Sequence, residues 1–128
     1  VGGAIPTAEP YRITLHLNNK KRESLEIYPI TFLEKLILRL LPSKNKILKT
    51  KYVFKGNEKL ISQIVNDELL IKLLQKQNLY IRIPYENTSK IILTPPHGIE
   101  SAAQLKSFIE ILKSIEVKIK SNELSRNY

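Results

Sequence analysis

The chain has 128 residues, 42% of them hydrophobic, no cysteine and a formal net charge of +9. This length and apolar content are typical of a single soluble domain with one core. Disulfides and thiolate metal sites are excluded, and no apolar run approaches the roughly 18 residues that a membrane span needs.

The N-terminal end shows no pattern of a helix or strand. Residues 1–10 contain Gly2-Gly3 and two prolines, which is typical of a linker or a cloning remnant. They lack the charged start and the apolar run of a signal peptide. We therefore expect no structural element before residue 11.

Apolar and polar side chains alternate over residues 11–18, which predicts a half-buried strand with Tyr11 among its inward side chains. The alternation resumes after a polar turn. Residues 11–29 are therefore predicted to form a hairpin that ends before Pro29.

Two elements are predicted in the middle of the chain. Apolar residues at helical spacing over residues 32–41 favour an amphipathic helix, and a buried strand is the alternative for so short a run. Residues 47–55 alternate again and predict a strand. Its apolar face carries Tyr52 and Phe54, and lysines project from its other face.

Asparagine residues mark the next two helix starts. Gly56-Asn57 ends the strand and offers a helix start, and Asn66-Asp67 ends that helix and caps a second one. In the second helix the apolar spacing places four leucines on the inner face: Leu69, Leu70, Leu73 and Leu74.

The C-terminal third is predicted to contain a hairpin and a long helix. Residues 79–94 form the hairpin, and Ser101 with Gln104 stands in the capping-box spacing that opens a helix. The apolar stripe of this helix ends near residue 120. We expect residues 121–128 to be a frayed polar tail.

Together these elements predict an α+β fold over residues 11–120. It is a two-layer fold, with a largely antiparallel sheet and helices packed on one face. The predicted core consists of Leu15, Leu17, Phe54, Leu70, Leu73, Ile81, Leu105, Phe108 and Leu112.

No catalytic pattern is present in the sequence. It lacks a nucleophile elbow, a glycine-rich phosphate loop and paired metal ligands, so we expect no enzyme activity, no cofactor and no metal site. The two histidines, His16 and His97, are interpreted as solvated or structurally bonded. Asp67-Glu68 is a carboxylate pair that the helix dipole explains.

The positive charge is concentrated in one segment. Residues 1–34 carry four basic and four acidic side chains, and residues 60–128 carry nine and seven. Residues 35–59 carry eight basic side chains and one acidic one, a net charge of +7. This asymmetry indicates a surface that faces an anionic partner. The candidate anion-binding residues are Lys44, Lys46, Lys49, Lys51, Lys55 and Lys59.

Two other interpretations of these lysines stay open. Charge on an edge strand protects a sheet from aggregation, and an AT-rich coding sequence enriches lysine without selection for binding. Specific base recognition usually uses arginine and exposed aromatic side chains. Because Tyr52 and Phe54 are predicted to be in the core, only bulk electrostatic attraction is indicated.

The stretch KYVFKGNEKLISQIVNDELLIKLLQKQNLYIRIPY, followed by IILTPP and QLKSFIEILKSI, resembles the soluble portion of uncharacterised bacterial membrane-associated proteins. The resemblance covers residues 46–115 and rests on hydrophobic rhythm. It implies a cytoplasmic domain beside a membrane anchor that lies outside this chain. It carries over no catalytic residue.

The sequence therefore predicts a non-catalytic binding or accessory domain of unknown biological role. Its first expected partner is an anionic membrane surface or an acidic protein, contacted through residues 35–59. Nonspecific nucleic-acid binding is the alternative, and a structural or protein-interaction module without polyanion binding is the second alternative.

Overall fold

The computed structural model describes residues 6–9, 11–18, 23–30 and 51–126. Its strands are β1 (Pro6–Glu9), β2 (Arg12–His16), β3 (Leu25–Pro29), β4 (Tyr52–Gly56), β5 (Tyr80–Ile83) and β6 (Lys90–Thr94). Its helices are α1 (Glu58–Val65), α2 (Glu68–Gln75) and α3 (Ala102–Arg126). The helix predicted over residues 32–41 lies outside the described residues.

The described strands form one sheet in the order β1-β2-β6-β5-β3-β4, and every neighbouring pair is antiparallel. The three described helices share one hydrophobic core with the inward side chains of the strands. This arrangement confirms the predicted α+β fold.

The predicted pairing of the first two strands is wrong. β2 pairs with β1 and β6, whereas β3 pairs with β4 and β5, so residues 11–29 are not a hairpin. Alternation reports that a strand is half-buried but not which strand lies beside it. The β5–β6 hairpin, which is predicted correctly, separates the two strands.

β3 also extends one residue further than predicted. Pro29 is tolerated there because the amide hydrogen that it lacks would not have bonded to β4. The Ile30 amide donates to the Lys51 carbonyl at 2.9 Å. Alternate residues bond to the same neighbouring strand, so the nitrogen of Pro29 faces away from β4.

Residues 6–9 correct the expectation of a linker over residues 1–10. They form β1, which lies at the edge of the sheet and pairs with β2 from Pro6 opposite Leu15 to Glu9 opposite Arg12. A proline is tolerated at the first residue of an edge strand, because its missing amide removes no bond from the interior of the sheet. Because the pairing uses backbone groups, the amino-acid composition of residues 6–9 does not predict it.

The predicted helix starts are confirmed by their caps. Asn57 Oδ1 accepts from the Leu60 amide at 3.0 Å, and Asp67 Oδ1 accepts from the Leu70 amide at 3.1 Å. Before α3, Ser101 Oγ accepts from the Gln104 amide at 3.1 Å. These bonds satisfy amides that a first helical turn leaves without a backbone partner.

α3 is longer than its apolar stripe predicts. It continues to Arg126, so the expected fraying is wrong for residues 121–126. Asn122 is only 2% exposed and exchanges two amide hydrogen bonds with Gln63 of α1, both of 2.9 Å. A polar pair therefore holds the end of the helix beyond Ile119, its last buried apolar residue.

The predicted core is confirmed. Its buried members are Leu15, Leu17, Phe54, Leu70, Ile81, Phe108 and Leu112, and Leu73 and Leu105 pack against the core partly buried. Two inward assignments are wrong: Tyr11 and Leu69 are exposed. Tyr11 precedes β2 in a turn, and the eight-residue α2 buries only the narrow stripe that contains Leu70 and Leu74.

Tyr52 joins three elements inside this core. Its hydroxyl lies within hydrogen-bonding reach of the Leu74 carbonyl (2.7 Å) and the Gln77 carbonyl, and it accepts from the Leu79 amide at 3.1 Å. The phenol therefore links β4 to the end of α2 and to the approach to β5. Burial of the ring raises the pKa of Tyr52 above its ordinary value.

Candidate basic surface

Three of the six candidate lysines lie in the described part of the chain. Lys51 precedes β4, Lys55 lies within it, and Lys59 follows in the first turn of α1. All three are exposed. The other three candidates, Lys44, Lys46 and Lys49, lie outside the described residues.

Lys51 does not continue the alternation of β4. Its φ of 56° is in the left-handed region, which residues other than glycine adopt rarely. β4 begins at the next residue, so the strand predicted over residues 47–55 is not continuous at Lys51. The backbone from Lys51 to Lys55 spans about 13 Å, so the two residues lie near opposite ends of β4.

Lys55 lies beside a carboxylate that has a second cation on its other side. In the register of the sheet, Glu26 of β3 is opposite Lys55 on one side and Arg82 of β5 on the other. Residues opposite each other across strands share a face of the sheet. The Lys55 ammonium also lies 5.4 Å from the centre of the Tyr28 ring, where a cation is attracted to the aromatic face.

Glu26 has a further partner on the same face. Burial raises the pKa of Tyr80 first of all, and the negative charge of Glu26 and a hydrogen bond to its carboxylate raise it further. The ring centres of Tyr28 and Tyr80 are 6.5 Å apart. Lys55 therefore emerges from an ordered polar and aromatic cluster.

An open cleft of about 320 Å³ lies at the end of β3, β4 and β5. Among its lining residues are two cations, Lys55 and Arg82, and two carboxylates, Glu26 and Glu86. The opposite charges balance. The cleft thus has no net attraction for a small anion.

Lys59 does not stabilise the helix in which it lies. It lies in the first turn of α1, where the helix dipole disfavours a positive charge. The adjacent Glu58 is the acidic residue that the dipole favours. The position of Lys59 in this turn therefore adds nothing to the stability of the helix.

The described residues supply no alternative chemical centre. His16 and His97 are exposed, and within these residues no group of three or more histidines and carboxylates is placed to hold a metal ion. Asp67 caps α2 and bonds to Lys118 of α3 at 2.7 Å, which confirms a structural role. None of the described helices combines the length and apolar content that crossing a bilayer requires.

Arg82 and Glu26 are the site residues that the sequence did not identify. They reach Lys55 only through the register of β3 with β4 and β5. These pairings are not visible in local alternation. Conversely, the prediction that Tyr52 and Phe54 face the core is confirmed, so neither ring of β4 offers a surface for base stacking.

Comparison with known proteins adds no relative. No protein-family model matches the chain, and no curated protein or solved structure matches it. The resemblance to bacterial membrane-associated proteins stays a prediction.

Proposed function

We propose that this chain is a non-catalytic binding domain that contacts an anionic membrane surface through Lys51, Lys55 and Lys59. One observation carries the proposal: every lysine of the +7 segment that the structure describes is exposed. Each lysine close to an anionic leaflet contributes about 1 kcal/mol of attraction. Together they would orient a domain that is already close to the leaflet, without a binding pocket.

Lipid headgroups suit these residues better than nucleic acid does. Seven of the eight basic residues in segment 35–59 are lysines, and Arg39 is the exception. Nucleic-acid recognition favours arginine and aromatic stacking, and the aromatic side chains of β4 are buried. A headgroup layer requires only a set of exposed positive charges.

Protection of a sheet edge accounts for only part of the lysine set. β4 is the last strand in the order of the described sheet, so a charge such as that of Lys55 would discourage pairing with another chain. Lys59 lies on α1 and has no such role. Lys55 and Lys59 together therefore support the proposal of an external partner, in addition to protection of the sheet edge by Lys55.

The absence of catalysis is part of the proposal. It is supported by the lack of a nucleophile–base motif in the sequence. The domain would act by placing itself, and whatever is joined to it, at the membrane.

Cosedimentation with vesicles tests this proposal. Wild-type protein should bind phosphatidylserine-containing vesicles and not pure phosphatidylcholine vesicles. Lys51→Gln, Lys55→Gln and Lys59→Gln should each weaken the partition constant about fivefold. Lys90→Gln, which removes the same charge from β6, is the matched control and should change it less. If the triple variant binds as the wild type does, these lysines are only a solvated surface.

A further inference from the structure

Two buried apolar side chains lie on the sheet face opposite the described helices, which we call the outer face. Val53 of β4 is 8% exposed, and Ile92 of β6 is 4% exposed. The residues that flank them in their strands belong to the core that the helices share: Tyr52, Phe54, Ile91 and Leu93. Successive side chains of a strand point to opposite faces of the sheet, so Val53 and Ile92 themselves face outward.

This burial does not fit a sheet that has its outer face in water, where polar side chains are expected. Val53 is on β4, the last strand in the order of the described sheet, and its cross-strand neighbour there is Tyr28 of β3. The next β4 side chain on the outer face is Lys55, which is exposed. One neighbour on each of two sides leaves most of a side chain in water. The low exposure of Val53 therefore indicates that further polypeptide covers the outer face.

The covered area extends across the sheet. Ile92 is opposite Thr14 of β2, and Thr14 is also buried on this face, at 7% exposed. β4 and β6 are three strand positions apart, which corresponds to about 14 Å. An occupant of the outer face therefore has to span that distance.

The connection between β3 and β4 begins and ends beside Val53. Residues 31–50 follow Ile30 and return to the sheet at Lys51, and the Ile30 amide donates to the Lys51 carbonyl at 2.9 Å. Lys51 is two residues, or about 7 Å, from Val53 along the strand. Because the two ends of the connection already meet, none of its length is needed to bridge a distance. All of it is available to cover the sheet.

The other segments outside the described residues cannot reach Val53. Residues 1–5 precede β1, which is five strand positions, about 24 Å, from β4, whereas five extended residues reach roughly 17 Å. Residues 19–22 are taken up by the connection from β2 to β3, which are three strand positions apart. Residues 127–128 follow α3, on the other face of the sheet. Residues 31–50 are therefore the segment of the printed chain that fits.

The sequence of this connection suits an apolar surface. Helical spacing over residues 32–41 places Leu33, Ile37 and Leu40 on one side. Lys35 and Arg39 lie on the opposite side of the same helix. A ten-residue helix is about 15 Å long, which matches the distance of about 14 Å between β4 and β6.

We infer that residues 31–50 dock onto the outer face of the sheet, with the apolar side of residues 32–41 against Val53 and Ile92. The sheet is then covered on both faces, by the three described helices on one and by the connection between β3 and β4 on the other. The packing does not depend on the proposed function.

The docking deepens the proposed function by assembling its basic surface. Lys55 lies on the outer face, two residues after Val53. A helix that buries Leu33, Ile37 and Leu40 against this face directs Lys35 and Arg39 away from the sheet, on the same side of the fold as Lys55. The charge of segment 35–59 then faces one direction. Only the use of this surface at a membrane rests on the proposed function.

Methyl NMR of the wild-type protein tests the docking. With labelled isoleucine, leucine and valine methyl groups, Val53 should show nuclear Overhauser contacts to Leu33, Ile37 or Leu40. Val65 packs against the inner core and is the control, which should show contacts only to that core. The inference is overturned if Val53 contacts none of residues 31–50. It is also overturned if the contacts arise only between differently labelled copies, because a second molecule then covers the face.

Thiol labelling gives a second readout, since the chain contains no cysteine. Val53→Cys should react with a maleimide at least about tenfold more slowly than Lys55→Cys, which is exposed on the same face. Adding Leu33→Ser and Ile37→Ser should raise the rate of Val53→Cys and leave that of Lys55→Cys unchanged. Ile64→Cys, in the core under α1, should stay unreactive in this background and show that the fold persists. An unchanged rate at Val53→Cys would contradict the docking.

Vesicle binding separates this inference from the proposed function. Lys35→Gln with Arg39→Gln should weaken the partition onto phosphatidylserine-containing vesicles, as Lys55→Gln does. If the methyl contacts of Val53 are present and wild-type protein binds no anionic vesicle, the docking stands and the proposed function is wrong. If wild-type protein binds and Val53 has no contact with residues 31–50, the proposed function stands and the docking is wrong.

Discussion

Lys118 of α3 donates a hydrogen bond of 2.7 Å to the carboxylate of Asp67, the residue that caps α2. The other oxygen of this carboxylate accepts from the Leu70 amide at 3.1 Å. One side chain therefore both begins α2 and joins it to α3. These contacts lower the pKa of Asp67, the bond from Lys118 most of all.

Asp67→Ala should destabilise the fold, because it removes both the cap and the ion pair. We expect the free energy of unfolding at neutral pH to fall by about 1–2 kcal/mol. Asp67→Asn keeps a capping oxygen and loses only the charge, so its loss should be about 0.5 kcal/mol. Urea denaturation followed by circular dichroism measures both.

The Asp67→Asn difference should depend on pH. A carboxyl whose pKa is lowered by folding stabilises the protein above its unfolded-state pKa of about 3.9, and the stabilisation is lost as pH falls through the folded-state value. The wild type and Asp67→Asn should therefore differ near neutrality and converge at acidic pH. A difference that is the same at both ends of this range would show that the charge of Asp67 does not contribute.

Gly56→Ala should be among the most destabilising substitutions in the described part of the chain. The φ of Gly56 is 124°, and a Cβ there would lie 2.2 Å from the Ser24 carbonyl oxygen. We expect a loss of about 2–4 kcal/mol in the free energy of unfolding, since backbone must move to make room. Lys55→Ala, at the exposed neighbouring position, should cost less than about 1 kcal/mol. Equal unfolding midpoints for the two variants would contradict this account of the end of β4.

Tyr52→Phe should show what the phenol contributes at the junction of β4, α2 and β5. It leaves the Leu79 amide without the hydroxyl oxygen that accepts its hydrogen bond, at a cost of about 1–3 kcal/mol. Because folding raises the pKa of Tyr52, the contribution is present below the unfolded-state pKa of about 10 and is lost as pH rises through the folded-state value. The difference in free energy of unfolding between the wild type and Tyr52→Phe, measured by urea denaturation, should therefore shrink as pH rises above about 10.

Local chemistry allowed much of the fold to be predicted. Asn57 and Asp67 cap their helices because their short side chains reach backbone amides two or three residues on. Such bonds are encoded within a few positions of the chain. The same holds for β5, in which Ile81 and Ile83 alternate with Tyr80 and Arg82 and so mark a half-buried strand.

Long-range pairing could not be predicted in the same way. The neighbours of β2 and β3 depend on where the β5–β6 hairpin lies, and nothing within residues 11–29 encodes that choice. The candidate site shares this limit. The sequence identifies Lys55 by charge, but its proximity to Glu26 and Arg82 follows only from sheet register. The exposure of Leu69 is likewise decided by how α2 packs on α3.

The Gln63–Asn122 pair predicts that the end of α3 stabilises the fold. Replacing either residue by alanine leaves the amide group of the other without its partner, and Asn122 is buried, so each single variant should lose about 1–2 kcal/mol. The double variant should lose less than the sum of the two, because the residues are in direct contact. Guanidinium unfolding of all four proteins gives this coupling energy, and strict additivity would show that the pair does not form.

The measurement that tests the central claim most directly is a salt titration of wild-type binding to anionic vesicles and to duplex DNA, run in parallel. We predict binding to phosphatidylserine-containing vesicles that weakens with salt but persists near the physiological value of about 0.15 M, and little binding to DNA there. Preferential binding to the duplex, with a log–log slope of about −0.9 for each neutralised phosphate, would contradict the membrane account and identify nucleic acid as the anionic partner.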